Sequence, residues 1–210
     1  MPKKRMLETI QALAQPPSIG PSPSFTYPQV CSALLLIGDK RGLGRAQLSK
    51  TLGLGEGTAR TIIKHFSRAG IVKTTQKGCA LTSKGMGLHR QLRSRFSELF
   101  TVDARQLALD TTSTAMLVKD SARKVKQGIE QRDAAVRSGA AGACTILVRK
   151  GRFLIPSSSE RWTLNANDPL AQELNSIFHP HDDDVIVIAG AKERTIADYA
   201  AIAAGLTLVD

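Results

Sequence analysis

Within GEGTARTIIKHFSRAGI, residues 55–71, Arg60, Lys64 and Arg68 recur at steps of four, with Thr58 and Thr61 among them. On a helix of 3.6 residues per turn this spacing gathers side chains on one face. A guanidinium can donate two parallel hydrogen bonds to a guanine edge or a phosphate. A lysine holds a phosphate as a point charge, and a threonine offers a hydroxyl and a methyl. Ala59, Ile62, Ile63, Phe66 and Ala69 recur at steps of three and four on another face and require a core. A basic stripe is only a solvated face unless the rest of the chain gives it an anion to hold.

The charge distribution bears on that choice. The chain has 210 residues and a net charge of +11. Residues 1–100 hold 16 Lys and Arg against 4 Asp and Glu, whereas residues 101–210 hold 13 against 14. A general solubility charge has no reason to segregate in this way, but a polyanion-binding module joined to a different module does. Aromatic residues make up only 4% of the chain, which argues against a platform that stacks single-stranded bases. Cys31, Cys79 and Cys144 are odd in number, far apart and without CxxC spacing, so they read as buried thiols rather than disulfides or zinc ligands. No apolar run reaches the length of a spanning helix, and MPKKR is not followed by a secretory apolar region. A cytoplasmic protein without membrane contact is the expectation.

The elements that must position the stripe follow from periodicity. Residues 1–27 read as a flexible Pro/Ser-rich leader, because QPPSIGPSPSFTYP carries five of the nine prolines, although MLETIQALA could form two helical turns. PQVCSALLLIGDK and GRAQLSKTLGL predict two helices, each stopped by glycine, and a third follows over about 57–69. From Ile71 the period changes to strand. IVKTTQ and CALTS flank Lys77-Gly78 and predict a hairpin over about 71–82, and SKGMGLHRQLRSRFSELF predicts a further helix over 83–100. The apolar stripe of Leu88, Leu92, Phe96 and Leu99 on that helix offers a surface on which two copies could pair, so a homodimer is expected.

Three helices, a hairpin and a fourth helix are the layout of a winged helix-turn-helix, in which the third helix enters the major groove. The stretch RAQLSKTLGLGEGTARTIIKHFSRAGIVKTTQKGCALTSKG resembles the winged-helix regulators of bacteria and archaea. The resemblance implies a DNA-binding domain over 28–100, linking helix included. Thr58, Arg60, Thr61 and Lys64 would then face base edges of double-stranded DNA, and Arg68, Lys73 and Lys77 would face phosphates. Arg45 and Lys50 on the preceding helix would grip the backbone it crosses.

Residues 101–210 alternate strand and helix patterns, so the fold class expected is α+β, a winged helix-turn-helix followed by a small α/β layer domain for dimerisation or effector sensing. The whole chain resembles a group of two-domain archaeal proteins whose C-terminal α/β domain has no assigned function. That resemblance rests on GIEQRDAAVRSGAAGACTILV and IAGAKERTIADYAAIAAGL.

Two features could hold a small anionic effector. Arg132 falls on a stripe of Ala122, Val125, Ile129 and Val136 within a helix expected over 121–138, where a charge must be paired or bound. The segment IAGAKERT ends a strand at Gly190 and begins a helix, with Lys192 between them. The bland readings are a local ion pair and an ordinary strand-to-helix turn. HPHDDD, residues 179–184, offers ligand types without metal spacing and reads as a solvated loop. No cofactor fingerprint and no catalytic motif is present, so the chain is not expected to be an enzyme. The expected function is sequence-specific transcriptional regulation. The alternatives are RNA binding, or a metabolite-binding protein or enzyme whose winged helix is a docking platform.

Overall fold

The computed structural model describes residues 3–15, 25–40, 42–76, 78–107, 109–156 and 162–209, without the side chains of residues 3–5 and 162. The chain divides by its internal contacts into two units, Met1–Arg93 and Ser94–Asp210. It is an α+β protein with a helical N-terminal region and a C-terminal sheet domain.

The first unit begins with α1, Lys3–Leu13. Met6, Leu7, Ile10 and Leu13 are buried, and the helix packs on elements that come later in the chain. The expected leader over 1–27 is therefore helical over 3–13, while residues 16–24 lie outside the described residues. A helix this short is marginal in water, and packing of its apolar face is what stabilises it.

Then come α2 (Tyr27–Lys40), α3 (Arg45–Leu52) and α4 (Glu56–Arg68). Gly53 ends α3 in the left-handed region at φ 59°, where its N–H bonds back to the helix carbonyls. The buried residues of α4 are Ala59, Ile62 and Phe66, and Leu34, Ile37 and Leu48 from α2 and α3 are equally inaccessible. Strands β1 (Val72–Thr75) and β2 (Gly78–Leu81) form an antiparallel pair. Helix α5 spans Ser83–Arg93 and does not run to residue 100 as expected. Phe96 instead bridges to Val118, and Phe100–Val102 form a strand.

The second unit is one six-stranded sheet of order β3-β4-β8-β5-β6-β7. Its strands are β3 (Phe100–Val102), β4 (Thr112–Val118), β5 (Gly142–Arg149), β6 (Arg152–Ile155), β7 (Trp162–Leu164) and β8 (Val185–Ala191). Every pairing is antiparallel. Strand β8 is placed last and fills the slot between β4 and β5, so the sheet closes only when the C-terminal segment docks.

Three helices cover the sheet, namely α6 (Ile129–Arg137), α7 (Pro169–Phe178) and α8 (Arg194–Leu206). Leu170, Ala171 and Leu174 of α7 share a cluster with Ala115, Leu117, Ile146, Val148, Ile186 and Ile188. Helix α8 lies on the other face, where a Cβ on Gly205 would meet Met116 at 2.3 Å. Because helices cover both faces, every residue of β8 is buried, which explains an apolar run without polar alternation. Asp168 caps α7 and accepts the Leu170 N–H at 2.9 Å. Helix α8 ends at Leu206 and is followed by a turn.

Candidate nucleic-acid interface

Helix α4 separates its two sets of residues as its periodicity requires. Ala59, Ile62 and Phe66 have no exposed surface, whereas Arg60, Lys64 and Arg68 are exposed. Gly55 precedes the helix in extended backbone, and Glu56 stands in the first turn, where a carboxylate favours the helix dipole. Thr58 and Thr61 are half-buried at the start of the helix. Thr61 donates its hydroxyl to the Gly57 carbonyl at 2.9 Å, which fixes the rotor and leaves the oxygen free to accept.

The flanks contribute unequally. Lys50, in the last turn of α3, and Lys73 on β1 are exposed. Arg45 is exposed but bridges to Glu56 at 3.6 Å, tying the start of α3 to the start of α4. Lys77 lies outside the described residues. Arg60, Thr61, Lys64 and Arg68 thus share one outward side of α4, with Lys50 and Lys73 on the neighbouring elements.

The back of α4 is anchored. His65 donates from Nδ1 to the Leu13 carbonyl at 3.0 Å and meets the Phe25 ring edge-on at 5.4 Å. Between α2 and α5, Asp39 accepts from His89 at 2.8 Å and pairs with Arg93. Burial opposes ionisation of Asp39, but the Arg93 and His89 hydrogen bonds and their charges outweigh it and hold its carboxyl below the usual range. The thiols are inert. Burial pushes Cys31 and Cys144 up to about 12 and raises Cys79.

Of the residues expected to hold an effector, Arg132 lines a hollow of about 370 Å³ that neither Gly190 nor Lys192 lines. Gly128 takes φ 77° and breaks the expected helix, so α6 restarts at Ile129 in a new phase. Gln131, Ala134 and Ala135 then face inward, while Ile129 and Val136 are 53% and 43% exposed. Arg132 is exposed rather than on a core face. Gly190 has a packing role, since a Cβ there would stand 2.2 Å from the Leu109 carbonyl oxygen. Lys192 is exposed beside Glu193, whose position before α8 would repel an anion at that helix start.

The aspartates of HPHDDD are taken up by structural bonds. Asp184 accepts the N–H groups of Asp120 and His181, Asp183 pairs with Arg149 and Arg123, and Asp182 accepts the Gly151 N–H. Among the described residues no group of His, Cys, Asp and Glu is placed to hold a metal ion.

Three of the four residues offered for pairing two copies are buried within the chain, and Leu99 is half-buried. Leu88 and Leu92 of α5 are buried in the first unit, and Phe96 is buried in the second against α8 and β4. The stretch RKGR, residues 149–152, reads in the sequence as a hairpin turn at Lys150-Gly151 with no function attached. No motif marks it, and its side chains become a cluster only through the β5–β6 hairpin.

Among the described residues no helix is long and apolar enough to cross a membrane. Residues 29–87 match the model of the PH0730-like N-terminal domain, and residues 109–208 match that of a domain of unknown function, DUF4443. No curated protein matches the chain. A solved structure, the hypothetical protein PH0730 from Pyrococcus horikoshii OT3, is similar with a TM-score of 0.72 and 29% identity, over 88% of this chain and 93% of that one. Domain by domain, the chain fits a two-domain archaeal protein, a PH0730-like N-terminal domain followed by a DUF4443 domain.

Proposed function

We propose that the first unit is a winged helix-turn-helix that binds double-stranded DNA in a sequence-specific way, and that the protein is a transcriptional regulator. The observation that carries this reading is the outward side of α4, where Arg60, Lys64 and Arg68 stand exposed beside a half-buried Thr61 while the opposite face is buried. Helix α3 packs against α4, and the β1–β2 pair follows it, as a helix-turn-helix with a wing requires. Arg60 and Thr61, near the start of α4, are the base-reading residues. Lys64 lies one turn further and reads the edge of the site, and Lys50, Arg68 and Lys73 hold phosphates. The confinement of the entire positive excess to residues 1–100 supports a polyanion as the partner of this unit.

The test is the affinity of the Arg60→Ala, Lys64→Ala double variant for its preferred duplex at moderate salt. The loss expected is about 1–3 kcal/mol for each base-reading contact. Unchanged affinity would remove α4 from the interface.

A further inference from the structure

The second unit carries a net charge of about zero, yet one of its concave surfaces is strongly basic. A cleft of about 1220 Å³ lies between the segment 122–127 and the β5–β6 hairpin. Its floor is apolar, formed by Val125, Leu147 and Leu154. Its rim carries Arg123, Lys126, Arg149, Lys150 and Arg152, and among the described residues Asp182 is the one carboxylate that lines it.

Part of that charge is already answered. Asp183 pairs with Arg149 and Arg123, and Glu130 with Lys126 at 3.6 Å. Lys150 and Arg152 pair with no carboxylate among the described residues. The hairpin turn holds them in position, since Lys150 and Gly151 both take left-handed backbone, φ 49° and 67°.

The next hollow along adds a second observation. It holds about 370 Å³ and shares Gln127 and Pro156 with the cleft. Thr145, Leu147 and Arg149 lie on one face of β5, at alternate positions. Thr145 lines this hollow and is 4% exposed, and its hydroxyl has no hydrogen-bond partner among the described residues. A buried hydroxyl left unpaired is costly, and a polar ligand group is one way to satisfy it.

We propose that this cleft binds a nucleoside phosphate. The apolar body would lie on Val125, Leu147 and Leu154, with the phosphates on Lys150 and Arg152 and a polar group of the ligand within reach of the Thr145 hydroxyl. An apolar floor beside a cationic rim fits an anion with an organic body better than a bare phosphate chain, which would leave the floor unused. The inference is independent of DNA binding by the first unit.

The experiment is calorimetric titration of the full chain with ATP and with inorganic tripolyphosphate at about 0.15 M salt, where exposed charges are screened beyond roughly 8 Å. The same titrations are run on Lys150→Glu with Arg152→Glu, and separately on Val125→Gln. Both rim residues are exposed, so the fold should survive, and a thermal melt checks this. ATP should bind more tightly than tripolyphosphate. The rim variant should weaken ATP at least about tenfold, and Val125→Gln should weaken ATP but not tripolyphosphate. Equal binding of the two anions, or ATP binding indifferent to the rim variant, would overturn the proposal. So would a rim variant that lowers affinity for duplex DNA and leaves ATP binding as it was, because the cleft would then be a backbone contact.

Discussion

Arg45 at the start of α3 reaches Glu56 at the start of α4, 3.6 Å from nitrogen to oxygen, with both side chains largely exposed. In water such a pair contributes little to stability, about 0–1 kcal/mol. Its consequence is electrostatic. A carboxylate stands beside the helix start that the account assigns to DNA, and it occupies one of the cations assigned to the backbone. Glu56→Gln should therefore raise duplex affinity by roughly two- to tenfold at low salt, with the gain shrinking as salt rises. The same change should cost about 0.3–1 kcal/mol of stability through the lost helix-dipole interaction. Fluorescence anisotropy over a salt series measures the first effect. An affinity that does not change at any salt concentration would place Glu56 and Arg45 away from the phosphates.

Helix α1 contributes to the stability of the first unit. Ile10 has no exposed surface, and Ile10→Ala should destabilise this unit by about 2–5 kcal/mol. Because His65 on α4 donates to the Leu13 carbonyl, loss of α1 docking should also weaken DNA binding. Urea denaturation followed by far-UV circular dichroism provides the measurement. A cost near zero would mean that α1 is a dispensable extension.

Asp39 makes this unit acid-sensitive. Its carboxyl is depressed below the ordinary value of about 3.9. A depressed carboxylate contributes stability that is fully present above the ordinary value and is lost as pH falls through the lower folded value. The loss therefore lies below about pH 4. Asp39→Asn should be less stable at pH 7 by about 1–2 kcal/mol, through the lost charged hydrogen bonds to His89 and Arg93. Its stability should depend less on pH than that of the natural protein in the acid range. Parallel pH profiles for the two proteins would contradict this assignment.

Helices α2 to α4 and the first hairpin are legible in the sequence because each shows one clear period, although α2 runs through Gly38 to Lys40, and α5 is legible in its start but not in its end. Helix α1 is less so, since a piece of that length is decided by what it packs on rather than by propensity. The phase of α6 is misread for a local reason. The stripe was phased from Ala122 and Val125, which lie in and just after a short 3-10 turn, and Gly128 resets the helix before Ile129. Gln131 then turns inward and donates to Thr207 at 2.7 Å. The antiparallel sheet is hidden because β8 is buried on both faces, so its apolar run carries no alternation that would mark its neighbours. The basic side of α4 is visible as one contiguous stripe. The C-terminal cleft is not, because two segments, 122–127 and 147–156, supply its cations and most of its floor, and only strand pairing unites them.

The central claim is base readout by α4. Selection from a pool of random duplexes, with the natural protein and with the Arg60→Ala, Lys64→Ala variant, tests it at two salt concentrations. The account predicts an enriched motif that survives the higher salt and disappears in the variant. Recovery without a motif, collapsing with salt and equal for the two proteins, would contradict it and reduce the stripe to a nonspecific phosphate grip.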